Sequence, residues 1–554
     1  MKHTVLLSVG LSCLLLSGCS DNTKPQTSDS TLPEFSAKAL VPHIQTLASD
    51  EFMGRQPGAI GETKTVQYLS NTFSQLGLQP ANAGSYTQAV PFMQMTTQGT
   101  PQAVFTQGEQ QWQPAVGEDI VLSSGTGQAE VTINNTEVVF AGYGVVAPEY
   151  NWNDYANIDA RGKTVVVLVN DPGFASKDPG QFKGAEMTYY GRWTYKYEEC
   201  ARQQAAACLI VHDTAAAGYG FNVVQTSFGE RAQFDLADNA NPKTPIVGWL
   251  STAGAIALFA KAGQNFNQLK QQAHQNGFSA SSLPDIKFSA SVTTEVVTGT
   301  SDNVVASIKG NSKPDEWIVV TAHWDHLGAV TNAQGGTDIY NGAIDNAGGV
   351  AALLAIAEKA QRQGGFERSV LFLVVTLEES GLLGTKYYAA NPIVPLRQTV
   401  ANINIDALLP VAATKDVWII GLGQSELDDV VRQQAAKQQR TVAGNPDVEK
   451  GFFYRSDQFA FAQMGVPGLF MGPGTKAIEG GTAAGEAAVQ ATQSRYHTPN
   501  DTFSNDWEMA AMLQDTQLHY LVIEQLANSA QWPQWSAQSE FYAAGKTLQH
   551  SRKQ

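Results

Sequence analysis

Between Asn303 and Leu526 short apolar runs alternate with longer stretches of helical periodicity, and this confines the region to an open α/β sheet of mostly parallel strands. The apolar runs are Val304 to Ile308, Trp317 to Ala322, Val370 to Thr376, Val400 to Asp406 and Val466 to Met471. The helical stretches are Ala347 to Gln363, Leu382 to Ala390, Ser425 to Gln438, Asp457 to Gln463 and Asp506 to Leu526. In such sheets ligands bind beyond the carboxyl ends of the strands. The residues to read are therefore those at which the runs stop.

The first run ends in Thr321-Ala322-His323-Trp324-Asp325-His326, which places a histidine and a carboxylate two residues apart. Asp345 follows in Gly342-Ala343-Ile344-Asp345-Asn346-Ala347-Gly348-Gly349. Glu378 and Glu379 come after the third run, Asp406 closes Asn402-Ile403-Asn404-Ile405-Asp406, and His497 lies in Tyr496-His497-Thr498-Pro499-Asn500-Asp501. Imidazoles with carboxylates and no cysteine suit an open, hydrolytic zinc site rather than a closed structural one. Two zinc ions fit the charge better than one. Asp345, Glu379 and Asp406 bring three negative charges against four positive, which a bridging hydroxide would neutralise. Glu378 and Glu379 are neighbours and point in different directions, so one should bind metal and the other stay free to act as general base.

In this order, H-x-D, G-A-x-D-N-A-x-G, E-E, N-x-D and Y-H-T-P-x-D resemble the co-catalytic two-zinc metalloaminopeptidases. Bacterial leucyl aminopeptidases and vacuolar aminopeptidase Y belong to that group, with glutamate carboxypeptidase II and the transferrin receptor as relatives. The resemblance implies that Asp345 bridges two zinc ions, that His323 and Asp406 complete one, and that Glu379 and His497 complete the other. It makes Glu378 the base, Asp325 the group that holds His323 in one tautomer, and Tyr496 a donor to the tetrahedral oxyanion. It also implies a cis peptide bond at Asp345-Asn346 and a substrate contact from Arg455. His326 receives no role and reads as a structural or pocket-wall residue. Gln458 stands where the family has histidine, and Ala407-Leu408-Leu409 replaces Met-x-Gly after Asp406, so specificity is where this chain departs. The implied activity is removal of N-terminal residues from peptides with a free amino end, by attack of a metal-bridged hydroxide. A zinc carboxypeptidase or dipeptidase on the same scaffold is the alternative. A non-catalytic, receptor-like protein predicts lost ligands, whereas all five are present, and the separate Asp345 motif with the full ligand set weighs against a one-zinc glutaminyl cyclase-like reading.

The remainder divides as follows. Lys2 and His3 precede an apolar run, Val5 to Leu16, that is too short to span a bilayer as a helix. With Leu16-Ser17-Gly18-Cys19 behind it, this resembles a bacterial lipoprotein signal over residues 1–18, followed by a polar linker over 19–35. Cys19 would carry the lipid, tethering the protein to a membrane of the cell envelope on the periplasmic side or at the outer membrane, or leaving it released outside. Residues 36–135 read as the N-terminal part of the peptidase domain, with helices at Ala37 to Leu47 and Glu62 to Leu76 and strands from Ser85 to Asn134. Residues 136–252 resemble an inserted protease-associated domain, through G-K-T-V-V-V-L-V and A-A-A-C-L-I-V-H, and residues 253–554 form the main part. Ser251 to Ser282 reads as helical.

Three motifs in this region mislead. Gly142-Tyr143-Gly144-Val145-Val146-Ala147 imitates a dinucleotide fingerprint, but Pro148 and Asn151 to Asp154 give no helix N-terminus to hold a pyrophosphate. Two G-K-T triplets lack the leading glycine of a phosphate loop. His212-Asp213 is read as an ordinary strand end. Cys200 and Cys208 leave a disulfide open either way. A formal net charge of −16 gives nucleic acid nothing to bind.

Overall fold

A computed structural model describes residue 1, residues 35–332 and residues 334–552. The lipoprotein signal, Cys19 and nearly all of the polar linker lie outside the described residues. At the centre are three parallel strands, with Lys313–His323 between Arg368–Val375 and Thr399–Asn404, and Gly468–Pro473 continues the parallel row. Every residue of Arg368–Val375 and of Thr399–Asn404 is buried, as expected of strands covered by helices on both faces. One cover is the helix Gly349–Arg362. Its buried Val350, Leu353, Leu354, Ala357 and Ala360 recur at helical spacing. The chain then turns at Gly364 and Gly365, with φ of 88° and 78°, a conformation glycine adopts without steric cost. Ala510–Ala527 is another long helix, buried on most of its surface.

The strand Ser281–Ile308 ties this row to a second one. Its last residues, Val304 to Ile308, run antiparallel to Val370 to Val374, and its first half pairs with Glu130–Phe140. Thr87–Gln107 lies along nearly its whole length. Beyond Glu130–Phe140 come the parallel strands Thr164–Leu168, Ala207–Val211 and Ile246–Leu250, and then antiparallel Ile120–Ser124. This half has its own core, in which Phe140, Phe259 and Phe266 pack edge to face.

Two sequence expectations change. The single helical stretch Ser251 to Ser282 is two helices, Thr252–Lys261 and Phe266–Ala273, followed by the start of the long strand. That strand alternates Ser, Thr and Glu with Val and keeps one face partly exposed, so only its buried end at Val304 to Ile308 gives an apolar run. Cys200, on the helix Trp193–Arg202, is bridged to Cys208 on Ala207–Val211. The dinucleotide decoy runs into a two-residue strand and a single 3-10 turn, with no helix to receive a phosphate. No helix among the described residues is long and apolar enough to cross a membrane.

Candidate metal centre

Because three neighbouring strands are parallel, their carboxyl ends meet at one edge, and the loops that leave them converge there. His323 is the last residue of its strand. Glu378 and Glu379 leave Arg368–Val375 through Leu377, whose φ is 54°. Asp406 lies two residues past Thr399–Asn404. Asp345 sits in the turn before Gly349–Arg362, where Asp345-Asn346 is a cis peptide, and His497 enters from the loop between Gly481–Gln493 and Ala510–Ala527.

The Asp345 carboxylate divides itself between two sets of groups. One oxygen is 3.1 Å from His323 Nε2, and the other is 3.2 Å from His497 Nε2. On the first side Asp406 Oδ1 is 3.3 Å from His323 Nε2; on the second Glu379 Oε2 is 3.0 Å from His497 Nε2. The donor atoms of each set lie within 4.8 Å of one another. His497 Nε2 is buried and makes no hydrogen bond, as a nitrogen aimed at a shared cation would be. Imidazole and carboxylate donors in two sets that share one carboxylate fit a pair of zinc ions.

Electrostatics agree. Burial alone would depress His323, yet Glu378, Asp406 and Asp345 raise it well above the ordinary histidine value. His497 is lifted to about 9, with Asp345 and Glu379 outweighing its burial. Asp345 is buried but held well below the usual carboxylate range by the two imidazoles. Protons here occupy the place of cations, and a metal ion would displace them. Glu378 behaves differently. Burial and the neighbouring Glu379 and Asp406 push it well up, with only His323 opposing, and it makes no ion pair with either imidazole. It therefore remains available to move a proton.

The supports are mostly polar side chains at the bases of the same loops. Asp501 accepts the Ile344 and Asp345 amides at 3.0 and 3.1 Å, tying the Asp345 turn to the His497 loop. Asn346 donates to Ile405 O at 3.0 Å and accepts from Ala407 N at 3.2 Å, tying that turn to Asp406. Ser456 Oγ donates to Asp406 Oδ2 at 2.5 Å. Gln458 spans Asn404 and the Phe453 carbonyl. Asp325 acts differently from the expectation. Its backbone carbonyl lies 3.1 Å from His323 Nδ1, its carboxylate is 3.9 Å away, and the carboxylate instead accepts the Glu378 and Glu379 amides.

Two participants were not assigned to the site from the sequence: His326, read there as a structural or pocket-wall residue, and Arg55. His326 Nδ1 lies 2.7 Å from Glu379 Oε1, and its ring meets that of His497 edge to face at 5.6 Å; it belongs to the donor set of the second side. Arg55 is fully buried and has no carboxylate bound to it among the described residues. It donates to Trp324 O, Leu47 O, Asn341 O and Gly342 O at 2.5 to 2.9 Å, fastening the His323 and Asp345 loops to the N-terminal helices. Gly342 makes this approach possible: its φ is 53°, and a Cβ there would strike the Asp345 carbonyl and the His326 ring. A buried cation needs its donors satisfied to be tolerated, and four carbonyls satisfy this one.

Tyr496 stacks on His497 at 3.8 Å, is half-exposed, and its hydroxyl makes no hydrogen bond among the described residues. Arg455 is exposed and rests over the Phe452 ring.

Residues 303–521, which contain His323, His326, Asp345, Glu378, Glu379, Asp406 and His497, match the family model described as Peptidase family M28. A curated relative, "probable leucine aminopeptidase 2" of Aspergillus oryzae, is 26% identical over 268 residues. That match covers 45% of this chain and 49% of the relative, so it spans about half the relative's length. Among solved structures, an aminopeptidase from Aneurinibacillus sp. strain AM-1 is 19% identical, covering 90% of this chain and 95% of that one with a TM-score of 0.48. A Peptidase M28 precursor from Shewanella amazonensis is 17% identical, with 90% and 96% coverage and a TM-score of 0.41.

Proposed function

We propose, since the segment that carries the whole cluster matches the model of Peptidase family M28, that this protein is a two-zinc aminopeptidase. The observation that carries the reading is the Asp345 carboxylate, with one oxygen toward His323 and the other toward His497. Zinc ions held there would make water acidic enough to supply a nucleophile at neutral pH and would polarise the scissile carbonyl. Glu378 takes the proton of the attacking water and returns it to the leaving amine; its raised affinity for protons suits both tasks. Tyr496 stands beside His497 with a free hydroxyl, placed to donate to the developing oxyanion. Asp325 and Ser456 keep the glutamates and Asp406 in position.

The substrate on this reading is a peptide with a free N-terminus. Comparing an aminoacyl-anilide with its N-acetylated form tests it: the free amine should be cleaved and the blocked form refused. Cleavage of both, or preference for peptides read from the carboxyl end, would turn the assignment to the carboxypeptidase or dipeptidase alternative.

The segment around 136–252 is proposed to be a protease-associated insert, supported by the sequence patterns that suggested it. Cys19 is proposed to be lipidated at the envelope of a bacterial cell, supported by the run Val5 to Leu16 and the Leu-Ser-Gly-Cys that follows it. Mass spectrometry of the mature N-terminal peptide would show a diacylglyceryl group on Cys19 or disprove it.

A further inference from the structure

The loop that steadies Asp406 is itself held from outside the metal centre. It runs through the 3-10 turn Phe452–Arg455 to Ser456, whose hydroxyl donates to Asp406 Oδ2 at 2.5 Å and accepts from Asn404 Nδ2 at 2.7 Å. Ser456 reaches both partners from one setting of that turn, so whatever fixes the turn acts on Asp406.

Two distant segments grip the loop. Residues 183–190, from the half with the second row of strands, lie along it. Met187 N donates to Val448 O at 3.1 Å, Gln463 Nε2 donates to the Tyr189 hydroxyl at 3.1 Å, and the Tyr189 ring packs on Tyr454 and Phe459 at 6.1 and 5.0 Å. This segment is tied to its own half by Thr188, which donates through N and Oγ1 to Asp171 at 2.9 and 2.6 Å, and by Lys196, which donates to Tyr190 O at 2.6 Å. From the C-terminal side, Trp535 Nε1 donates to Gly465 O at 3.1 Å, and Phe541 packs on Phe453 and Phe459 at 5.8 and 6.1 Å.

The loop and both segments meet at Glu540, whose side chain is 3% exposed. One of its oxygens takes the Tyr454 hydroxyl and, at 3.4 Å, the Tyr189 amide; the other takes Lys183 Nζ at 3.1 Å. Burial would raise this carboxylate, yet Lys183 and the Tyr454 hydroxyl hold it below its ordinary value. A buried ion pair is a poor source of stability, since well-packed apolar residues of similar volume often serve as well or better. What a carboxylate adds is direction: three donors must meet two oxygens in one geometry.

We propose that Glu540 is a positioning residue of the metal centre, locking the turn Phe452–Arg455 against residues 183–189 and so setting Ser456 on Asp406. This rests on the two-zinc reading. The half with the second row of strands thereby acts on the ion at His323 and Asp406 while contributing no donor to it.

Zinc affinity is read ion by ion on the full chain, by chelator competition, with anomalous diffraction to identify the ion lost. Glu540→Gln and Tyr454→Phe should each weaken the ion on the His323 and Asp406 side about tenfold, and leave the other within about twofold. Ser456→Ala should weaken the same ion. Glu540→Gln or Tyr454→Phe placed on top of Ser456→Ala should then add less than about twofold, because the path is already cut. A group that only supports the fold would lower thermal stability, and its effect on zinc would multiply with that of Ser456→Ala. Full affinity for both ions in Glu540→Gln, equal loss of both, or losses that multiply would overturn the proposal. Should Glu540→Gln fail to fold, Tyr454→Phe removes one hydroxyl and decides by the same comparison. An unaltered protein that takes up no zinc contradicts the two-zinc reading instead. The clamp is then read by hydrogen exchange, which Tyr454→Phe should speed about tenfold or more at residues 452–457; an unchanged rate overturns it.

Discussion

Both halves of this molecule end a parallel strand in a histidine and an aspartate, yet only one of them builds a metal centre. In the second row, Ala207–Val211 runs into His212 and Asp213. There each group is consumed locally. His212 Nε2 lies 3.0 Å from Tyr219 O, and Asp213 caps the short helix behind it and pairs with Lys270 at 2.5 Å. The cavity of about 380 Å³ beside them gathers Tyr143, His212, Asp213, Lys270 and His274, with no second carboxylate. At the end of Lys313–His323 the balance is reversed. Four carboxylates and three imidazoles converge without a lysine or arginine bonded to them among the described residues, and the carboxylates raise His323 and His497 above the ordinary histidine value. A His/Asp pair at a strand end becomes a site when its neighbours leave it short of cations. The spacing of the pair does not decide it.

This contrast can be broken at either end. Glu378→Gln should retain zinc and lower kcat by about 10² to 10⁴, the range of a lost general base; steady-state kinetics with metal analysis on the same sample checks it. Arg55→Met removes the clamp while leaving every donor in place. Four carbonyls then lose their partner, at a cost of about 1–3 kcal/mol for each one left unpaired. Zinc affinity, read by chelator competition, should fall on the order of 10- to 100-fold, with a smaller loss in Arg55→Lys.

The protons in the metal-free cluster give a pH dependence with a definite sign. His497 titrates near 9 when folded, against an unfolded value near 6.5. Its contribution to the stability of the metal-free protein is therefore complete below about pH 6.5 and is lost as pH rises through about 9. Zinc must displace that proton, so apparent zinc affinity should rise on the order of tenfold per pH unit across the same window. A flat profile would show that the histidines are neutral before the metal arrives. The smallest effect belongs to the second row: Asp213→Asn should cost about 1 kcal/mol or less, since asparagine still caps the helix, and leave kcat/KM unchanged.

How much was legible in advance follows the same division. His323, Asp345, Glu378, Glu379, Asp406 and His497 were readable because each lies where a buried strand stops or a loop begins, and apolar runs mark those places plainly. The parallel row was readable for the same reason. Arg55 was not. It stands 269 residues before Trp324 and binds only backbone carbonyls, which leave no trace in residue type. His326 was set aside because five ligands already filled the expected pattern, although its adjacency to Glu379 through a turn carries no spacing signal. The long strand Ser281–Ile308 was shortened to its buried end because its half-exposed middle alternates small polar residues with valine.

The most direct measurement is the zinc content of the Asp345→Ala variant beside the unaltered protein, with anomalous diffraction to place the ions. The unaltered protein should hold two zinc ions per chain about 3.5–4 Å apart, with one Asp345 oxygen on each. Asp345→Ala should lose the pair. A single ion in the unaltered protein, or two ions kept without Asp345, would contradict the shared carboxylate on which the site is built.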